Sequence, residues 1–279
     1  MMPPRRFLPR VLDVAAPPRF EFGDDLPADA TFDRVAVMAH FTARAELNRS
    51  VRTLVGELLA ADYRVLIMSS SELAEPLRWP GAGGAPPGLS VYRRPNIGYD
   101  FGSWAAAMAA FPRLAAAERV LLCNDSLVGP FRTISPIMTR FDTEPYDIWG
   151  LMDSTHIAHH VQSYWVGYRG GVLAEPALRD FWQGIRIERS KAHIIKRYEV
   201  GAMRYWRRYG YSVGVGFPFG LVVNEGFNPA SFGWRRLLDF GFPFVKREIA
   251  TNPPPEIRDG DQVAAVIAEK FGEDVGEWL

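Results

Sequence analysis

Apolar residues fall along this chain in two rhythms. Short continuous runs, Arg34-Val-Ala-Val-Met-Ala-His40, Tyr63-Arg-Val-Leu-Ile-Met-Ser69, Leu89-Ser-Val-Tyr92 and Arg119-Val-Leu-Leu-Cys123, have the length and continuity of buried strands. Asp147-Ile-Trp-Gly-Leu-Met152 and the segment from Val161 to Tyr168 predict two more. Between them the period changes. Leu47, Val51, Leu54, Leu58 and Leu59 recur at helical spacing with charged residues in between, which predicts an amphipathic helix. Further helices are expected near 103–111, over Pro176 to Gln183, over Ser190 to Arg208 with Ser190 as cap, and over Asp261 to Phe271.

Strands alternating with helices predict an α/β domain with a Rossmann-like, mostly parallel central sheet flanked by helices. The aromatic-rich chain after Pro229 predicts a less regular C-terminal part. Residues 1–31, rich in Pro, Arg and Asp, are expected to form a loosely ordered N-terminal extension, and 32–279 one domain. In open α/β sheets ligands bind at the carboxyl ends of the strands. Here those ends are polar: His40-Phe-Thr, Ser69-Ser-Ser71, Asn96 to Asp100, Asn124-Asp-Ser126 and Asp153-Ser-Thr-His156.

Composition narrows the function classes. The 279 residues carry 32 basic and 32 acidic side chains, so duplex nucleic acid is a disfavoured partner. The single cysteine, Cys123, excludes an intrachain disulfide and a cysteine-cluster zinc site. Prolines interrupt the N-terminus, so no signal peptide is expected, and no run approaches the roughly 20 residues of a membrane-spanning helix. A cytoplasmic protein is expected. One stretch departs from neutrality: residues 186–208 hold eight basic residues against Glu188 and Glu199. A solvated helix face explains that excess; the sharper reading is attraction to an anionic partner such as a lipid diphosphate or a membrane surface, at the inner face of the cytoplasmic membrane.

Several motifs carry candidate chemistry. Gly98 to Gly102, G-x-x-x-G, matches neither the dinucleotide fingerprint nor the phosphate loop. Its glycines permit close backbone approach to a ligand, or Asp100 or Ser103 simply caps a helix. Asp125 at a strand end suits a divalent metal, Mg²⁺ or Mn²⁺, which commonly keeps waters and takes substrate phosphates; an Asx-type turn is the alternative. His156, His159 and His160 lack the spacing of a zinc motif. On one strand His160, Gln162 and Tyr164 share a face and line a sugar pocket. Glu199, between Tyr198 and Val200, has an apolar setting that raises a carboxyl pKa and suits a general base, or is an ordinary helix salt-bridge residue.

"NIGYDFGSW", "LLCNDSLVGPF", "DIWGLMDS", "HVQSYWVGYR", "FW…KAHIIKRYEVG" and "NPASFGWRRLLDFGFPFVKREI" occur in this order. Together, over roughly 33 to 250, they resemble the rhamnan synthesis protein F family, associated with rhamnose-containing bacterial surface polysaccharides. The resemblance implies a GT-A-like glycosyltransferase using a nucleotide-sugar. It implies that His40 and Ser70 help build the nucleotide pocket, that Asn96, Gly98 and Asp100 lie against the donor, and that Asn124 and Asp125 stand where an Asp-x-Asp metal motif is usual. It also implies an inverting mechanism whose base is Glu199, with Asp153 second. The leading expectation is a rhamnosyltransferase that moves rhamnose from dTDP-rhamnose to a growing polysaccharide or lipid-linked acceptor. The alternatives are a non-catalytic sugar- or nucleotide-binding module of an assembly complex and a metal-dependent phosphoesterase.

Overall fold

The computed structural model describes residues 8–279. The chain enters through a short helix, α1 (Val11–Val14), and a strand, β1 (Arg19–Gly23). It then alternates through β2 (Arg34–His40), α2 (Arg49–Ala60), β3 (Arg64–Ser69), β4 (Leu89–Arg93), α3 (Tyr99–Ala110) and β5 (Arg119–Asn124). A two-residue strand β6 (Leu127–Val128), α4 (Ser135–Thr143), β7 (Ile148–Ser154), β8 (His160–Val161) and β9 (Trp165–Arg169) follow. Next come α5 (Pro176–Gln183), α6 (Lys191–Ile194), a π-helical turn Ile195–Glu199, α7 (Val200–Arg208) and β10 (Val213–Phe217). The last part is a set of short elements: α8 (Pro229–Phe232), α9 (Trp234–Asp239), β11 (Val245–Lys246), α10 (Arg247–Thr251) and α11 (Val263–Phe271).

Nine strands form one mixed sheet in the order β1-β4-β3-β2-β5-β9-β7-β10, with β8 on β7. The block β4-β3-β2-β5 is parallel throughout, and β7 and β10 are parallel to each other. Between the two blocks β9 runs antiparallel to both β5 and β7, so the blocks share one direction and their carboxyl ends open on one rim. This is the expected α/β architecture, with a mixed rather than mostly parallel sheet because β1, β8 and β9 pair antiparallel.

The apolar runs of β2, β3 and β5 are continuous because both faces are covered. Val35, Val37 and Ala39 of β2 join Leu66, Met68, Val120 and Leu122 beneath α3, α5 and α7. Ala36 and Met38 join Val65, Ile67, Leu121 and Cys123 beneath α2 and α4. α2 buries Val51, Leu54, Val55 and Leu58, and the Asn48 side chain caps it by accepting from the Val51 amide at 3.0 Å. The C-terminal elements make a separate cluster around Trp234, Ile249, Ile267 and Trp278. Arg49 of α2 clamps it, with ion pairs to Glu273 and Glu277 at 2.8 and 3.0 Å and its guanidinium over the Trp278 ring.

Three expectations change. The extension at 1–31 is not loose over its described residues: β1 pairs antiparallel with β4, Phe20 opposite Tyr92, and Val11 is fully buried. Edge pairing and that anchor order a segment whose composition hid them; residues 1–7 lie outside the described residues. The strand expected over Val161 to Tyr168 is two strands broken by a turn at Gln162–Tyr164. The helix over Ser190 to Arg208 forms, but with the π turn inside it. Ser190 is not a side-chain cap, because its hydroxyl is engaged with Nδ1 of His193 at 2.8 Å.

Candidate active site

The turn between β4 and α3 is built by the protein's own backbone. Gly98 sits in the left-handed region (φ +83°) and starts α3 without any side-chain cap, so neither Asp100 nor Ser103 has that role. A Cβ on Gly102 would lie 2.1 Å from the Ile97 carbonyl oxygen. The expected close approach of a ligand to this glycine is therefore taken by Ile97. Arg94, 2% exposed, holds the turn: its guanidinium donates to the Ile97 carbonyl at 2.6 Å and to Ser103 Oγ at 3.1 Å. Trp104 then fixes α3 to the sheet through its indole N–H, shared by the Val37 and Cys123 carbonyls at 3.1 Å.

That anchoring brings Asp100 to the end of β5. Asn124 Nδ2 donates to Asp100 Oδ2 at 2.7 Å, and Asn124 Oδ1 accepts from the Ser126 amide at 3.0 Å. Asp125 Oδ2 accepts from the Phe41 amide at 3.2 Å, tying β5's end to β2's. Burial pushes the Asp100 carboxyl up to about 6, and the nearby Asp125 charge adds to it. Burial raises Asp125 too, against the pull of Arg247. His40 and Ser70 lie beneath, both buried; His40 Nδ1 meets Ser69 Oγ at 3.1 Å, and the Ser70 hydroxyl donates to the His40 carbonyl at 3.4 Å. Burial, then Arg247, lowers His40 to about 4, which leaves it neutral at pH 7. Asn96 is exposed on the turn.

A second group gathers at β7 and the π turn. Asp153 Oδ2 meets His159 Nε2 at 2.8 Å, Asp153 Oδ1 accepts from the Phe219 amide at 2.7 Å, and His159 Nδ1 faces Arg207 at 3.1 Å. Glu199 Oε2 accepts from the Ser163 amide at 3.1 Å and from its hydroxyl, while Oε1 lies 3.4 Å from His160 Nε2. Burial pushes Glu199 up, but the His160 and Ser163 hydrogen bonds outweigh it and hold the carboxyl below its ordinary range. The raised pKa expected at Glu199 belongs instead to Asp100. Gln162 Nε2 donates to Asn228 Oδ1 at 2.9 Å, whereas Gln162 Oε1 and the Tyr164 hydroxyl are buried without a partner. Behind Glu199 an apolar cavity of about 20 Å³, lined by Phe101, Trp182 and Trp206, has room for a water but not a sugar.

The structure thus brings Asp100, Asn124 and Asp125 together and places Glu199 close enough to act electrostatically on Asp100. It does not give His160, Gln162 and Tyr164 the common strand face that was expected. The three histidines also part: His160 goes to Glu199, His159 to Asp153, and His156 is exposed. Among the described residues no group of three or more His, Cys, Asp or Glu side chains converges as metal ligands. Two carboxylates remain near each other here, Asp125 acting electrostatically on Asp100; Mg²⁺ is commonly held by one or two carboxylates with waters and substrate phosphates. Ser163, Asn228 and Arg247 contact the candidate residues and Lys191 acts electrostatically on Asp100 and Asp125; sequence reasoning singled out none of the four. For Arg247 the only trace was its place in the "FPFVKREI" segment.

Comparison with known proteins agrees with these elements. The model of the family described as rhamnan synthesis protein F matches residues 89–271, well over half the chain, and the chain belongs to that family. The virulence protein VirA of Vibrio anguillarum (strain ATCC 68554 / 775) is 25% identical over 193 residues, covering 58% of this chain and 62% of VirA. The uncharacterized protein y4gN of Sinorhizobium fredii is 24% identical over 128 residues, covering 44% of this chain and 33% of that protein. The chain thus spans less than two thirds of the length of these curated relatives.

Proposed function

We propose that this member of the rhamnan synthesis protein F family is a glycosyltransferase with a GT-A-like fold. It moves rhamnose from dTDP-rhamnose to a growing surface polysaccharide or a lipid-linked acceptor. The observation that carries the reading is the meeting of Asp100, Asn124 and Asp125 at the carboxyl ends of parallel strands, where open α/β sheets bind nucleotides. The family's tie to rhamnan synthesis supports the choice of sugar.

The reaction needs three things of the protein. A bond forms between the acceptor oxygen and the anomeric carbon while the bond from that carbon to the diphosphate breaks, through an oxocarbenium-like state. The acceptor proton goes to a carboxylate, Glu199 first and Asp153 second, and a single such displacement inverts the anomeric carbon. The electron pair leaves with the diphosphate, whose growing charge needs fixed donors or cations. Asp125 with Asp100 would hold Mg²⁺ or Mn²⁺, and the ion would supply that neutralisation. Asn96 and Gly98, on the turn before α3, would border the donor, with neutral His40 and Ser70 shaping the floor.

A second reading, a sugar- or nucleotide-binding module without turnover, is favoured by one observation: both oxygens of Asp153 are already committed to His159 and Phe219. The phosphoesterase reading has no such support, because its histidines diverge. The proposal also takes the protein to act at the inner face of the cytoplasmic membrane, where a lipid-linked acceptor would be met. Among the described residues no helix is long and apolar enough to cross a membrane.

The test is a donor screen by thermal shift, with and without Mg²⁺ or Mn²⁺, followed by a product assay. A ligand at about 100-fold its Kd stabilises the folded state by about 2.7 kcal/mol. Stabilisation by dTDP and dTDP-rhamnose, and release of dTDP with an acceptor present, is the expected result. Stabilisation without release selects the binding module, and no response to any nucleoside diphosphate overturns both.

A further inference from the structure

The donor's leaving group needs positive charge, and the usual second carboxylate of a metal motif is missing beside Asp125. Two cations stand there instead. Arg247 is delivered by backbone pairing. β11 pairs antiparallel with β6, Lys246 opposite Leu127, and the Arg247 amide donates to the Ser126 carbonyl at 2.7 Å. This register sets the Arg247 side chain against the Asn124–Ser126 turn, where its Nε donates to the Asp125 carbonyl at 2.9 Å. Nη2, on the same edge of the planar group as Nε, is buried and has no acceptor. A buried guanidinium N–H without a partner is costly, and a fork anchored only through Nε leaves its Nη nitrogens to meet an oxyanion.

Lys191 belongs to a different element, α6, which packs near α3. It opens α6, eight residues before Glu199, and its side chain is exposed. Its charge acts on both Asp100 and Asp125, and that of Arg247 acts on Asp125 and His40. Neither cation has a carboxylate within ion-pair distance among the described residues, although other basic side chains such as Arg49 and Arg197 do. Two cations without a carboxylate partner therefore act on the end of β5, where Arg247 is hydrogen-bonded to the Asp125 backbone.

We infer that Arg247 and Lys191 form the anion site that receives the donor's diphosphate, Arg247 as a fork and Lys191 as a mobile point charge. The inference rests on the nucleotide-sugar reading and adds to it which side chains hold the leaving group. In the transfer step the two would take up the negative charge released when the sugar–phosphate bond breaks. This role does not compete with a divalent ion on Asp125, since diphosphate has oxygens for both.

Isothermal titration with dTDP, UDP, GDP and inorganic pyrophosphate, each in EDTA and in Mg²⁺, tests the assignment on wild type, Arg247→Met, Arg247→Lys and Lys191→Met. Thymidine is the diphosphate-free probe. The expected result is that Arg247→Met weakens the diphosphate ligands by about tenfold or more, the loss expected for a charge-assisted bond, in both EDTA and Mg²⁺. Lys191→Met weakens them less, Arg247→Lys recovers part of the loss, and thymidine binding does not move. Wild-type affinity for the diphosphates in both Met variants overturns the inference while leaving the nucleotide-sugar reading intact. Failure of wild type to bind any diphosphate overturns both. If Arg247→Met does not fold, Lys191→Met carries the test alone, because its exposed side chain supports no packing.

Discussion

Asn124 donates its side-chain N–H to the Asp100 carboxylate at 2.7 Å, and that contact joins the end of β5 to the first turn of α3. Two loops that each bear a carboxylate are thereby closed onto one another, and Asp100 is held where burial and Asp125 make ionisation costly.

The first prediction concerns the pH dependence of stability. The folded Asp100 carboxyl titrates near 6, against an ordinary value of 3.8. The folded state therefore binds the proton more tightly than the unfolded chain. The stability this contributes is fully present below the ordinary value and is lost as pH rises through about 6. An Asn at this position still accepts from Asn124 but carries no charge. Thermal melts should show Asp100→Asn gaining on wild type as pH goes from 4 to 7.5; parallel curves would remove the raised pKa from the account.

Glu199 and Asp153 divide the base role in a measurable way. Glu199→Gln is expected to lower kcat by about 100-fold or more, the range of general-base catalysis, with the donor-induced melting shift retained. Full turnover in that variant, with loss in Asp153→Asn, would move the proton acceptor to β7. Full turnover in both would remove the carboxylates from the chemistry.

Two glycine substitutions should act in opposite directions. Gly102→Ala forces a methyl group against the Ile97 carbonyl and is expected to destabilise the protein by about 1–3 kcal/mol. Gly56→Ala, inside α2 with no neighbour within 4 Å of the added carbon, is expected to stabilise by about 0.5–1 kcal/mol. Denaturant midpoints for the pair decide it: equal effects would mean that the turn after β4 yields more easily than its geometry requires.

Membrane contact is the fourth prediction. Arg204, Arg207 and Arg208 share one side of α7, and Arg207 touches His159 in the loop that carries Ile157, 52% exposed. That loop is tied by Thr155 to Gly226, next to Phe227, 47% exposed. Cations beside apolar loop tips suit an anionic interface. Sedimentation with phosphatidylglycerol-containing vesicles should show binding that weakens from 50 to 300 mM salt and falls in Arg204→Ser/Arg208→Ser. Equal binding to neutral phosphatidylcholine vesicles would contradict it.

Much of the sheet could be read from the residues. β2, β3, β4, β5 and β7 are apolar on both faces, so each declares itself without reference to its neighbours. β10 did not, because Gly214 and Gly216 replace the expected side chains. Added carbons there would meet the Tyr146 and Trp149 rings at 2.1 and 2.7 Å, a fact of packing rather than of local pattern. The break at Gln162–Tyr164 was hidden for a similar reason: its residues read as strand, but Ser163 is drawn to Glu199 on a distant helix. The strand-end rule pointed to Asp100, Asn124 and Asp125, which the structure brings together. It did not find Arg247, which arrives through a two-residue strand pairing 122 positions away from the carbonyl it meets.

The π turn at Ile195–Glu199 has a consequence for how this segment tolerates changes of length. Eight residues of α-helix overshoot two full turns, about 7.2 residues, by most of one residue. The wider turn absorbs that surplus. By helix geometry a segment with one such turn brings residues eight apart, such as Lys191 and Glu199, nearer to the same side, while Met203 and Trp206 are buried in the core. Deleting a single residue here would leave a more regular and better hydrogen-bonded helix, yet it would rotate one end against the other. Either the charged pair or the buried pair would have to give way. The extra residue therefore works as a phase adjuster, and homologous segments one residue shorter would be expected to carry their charges at shifted positions.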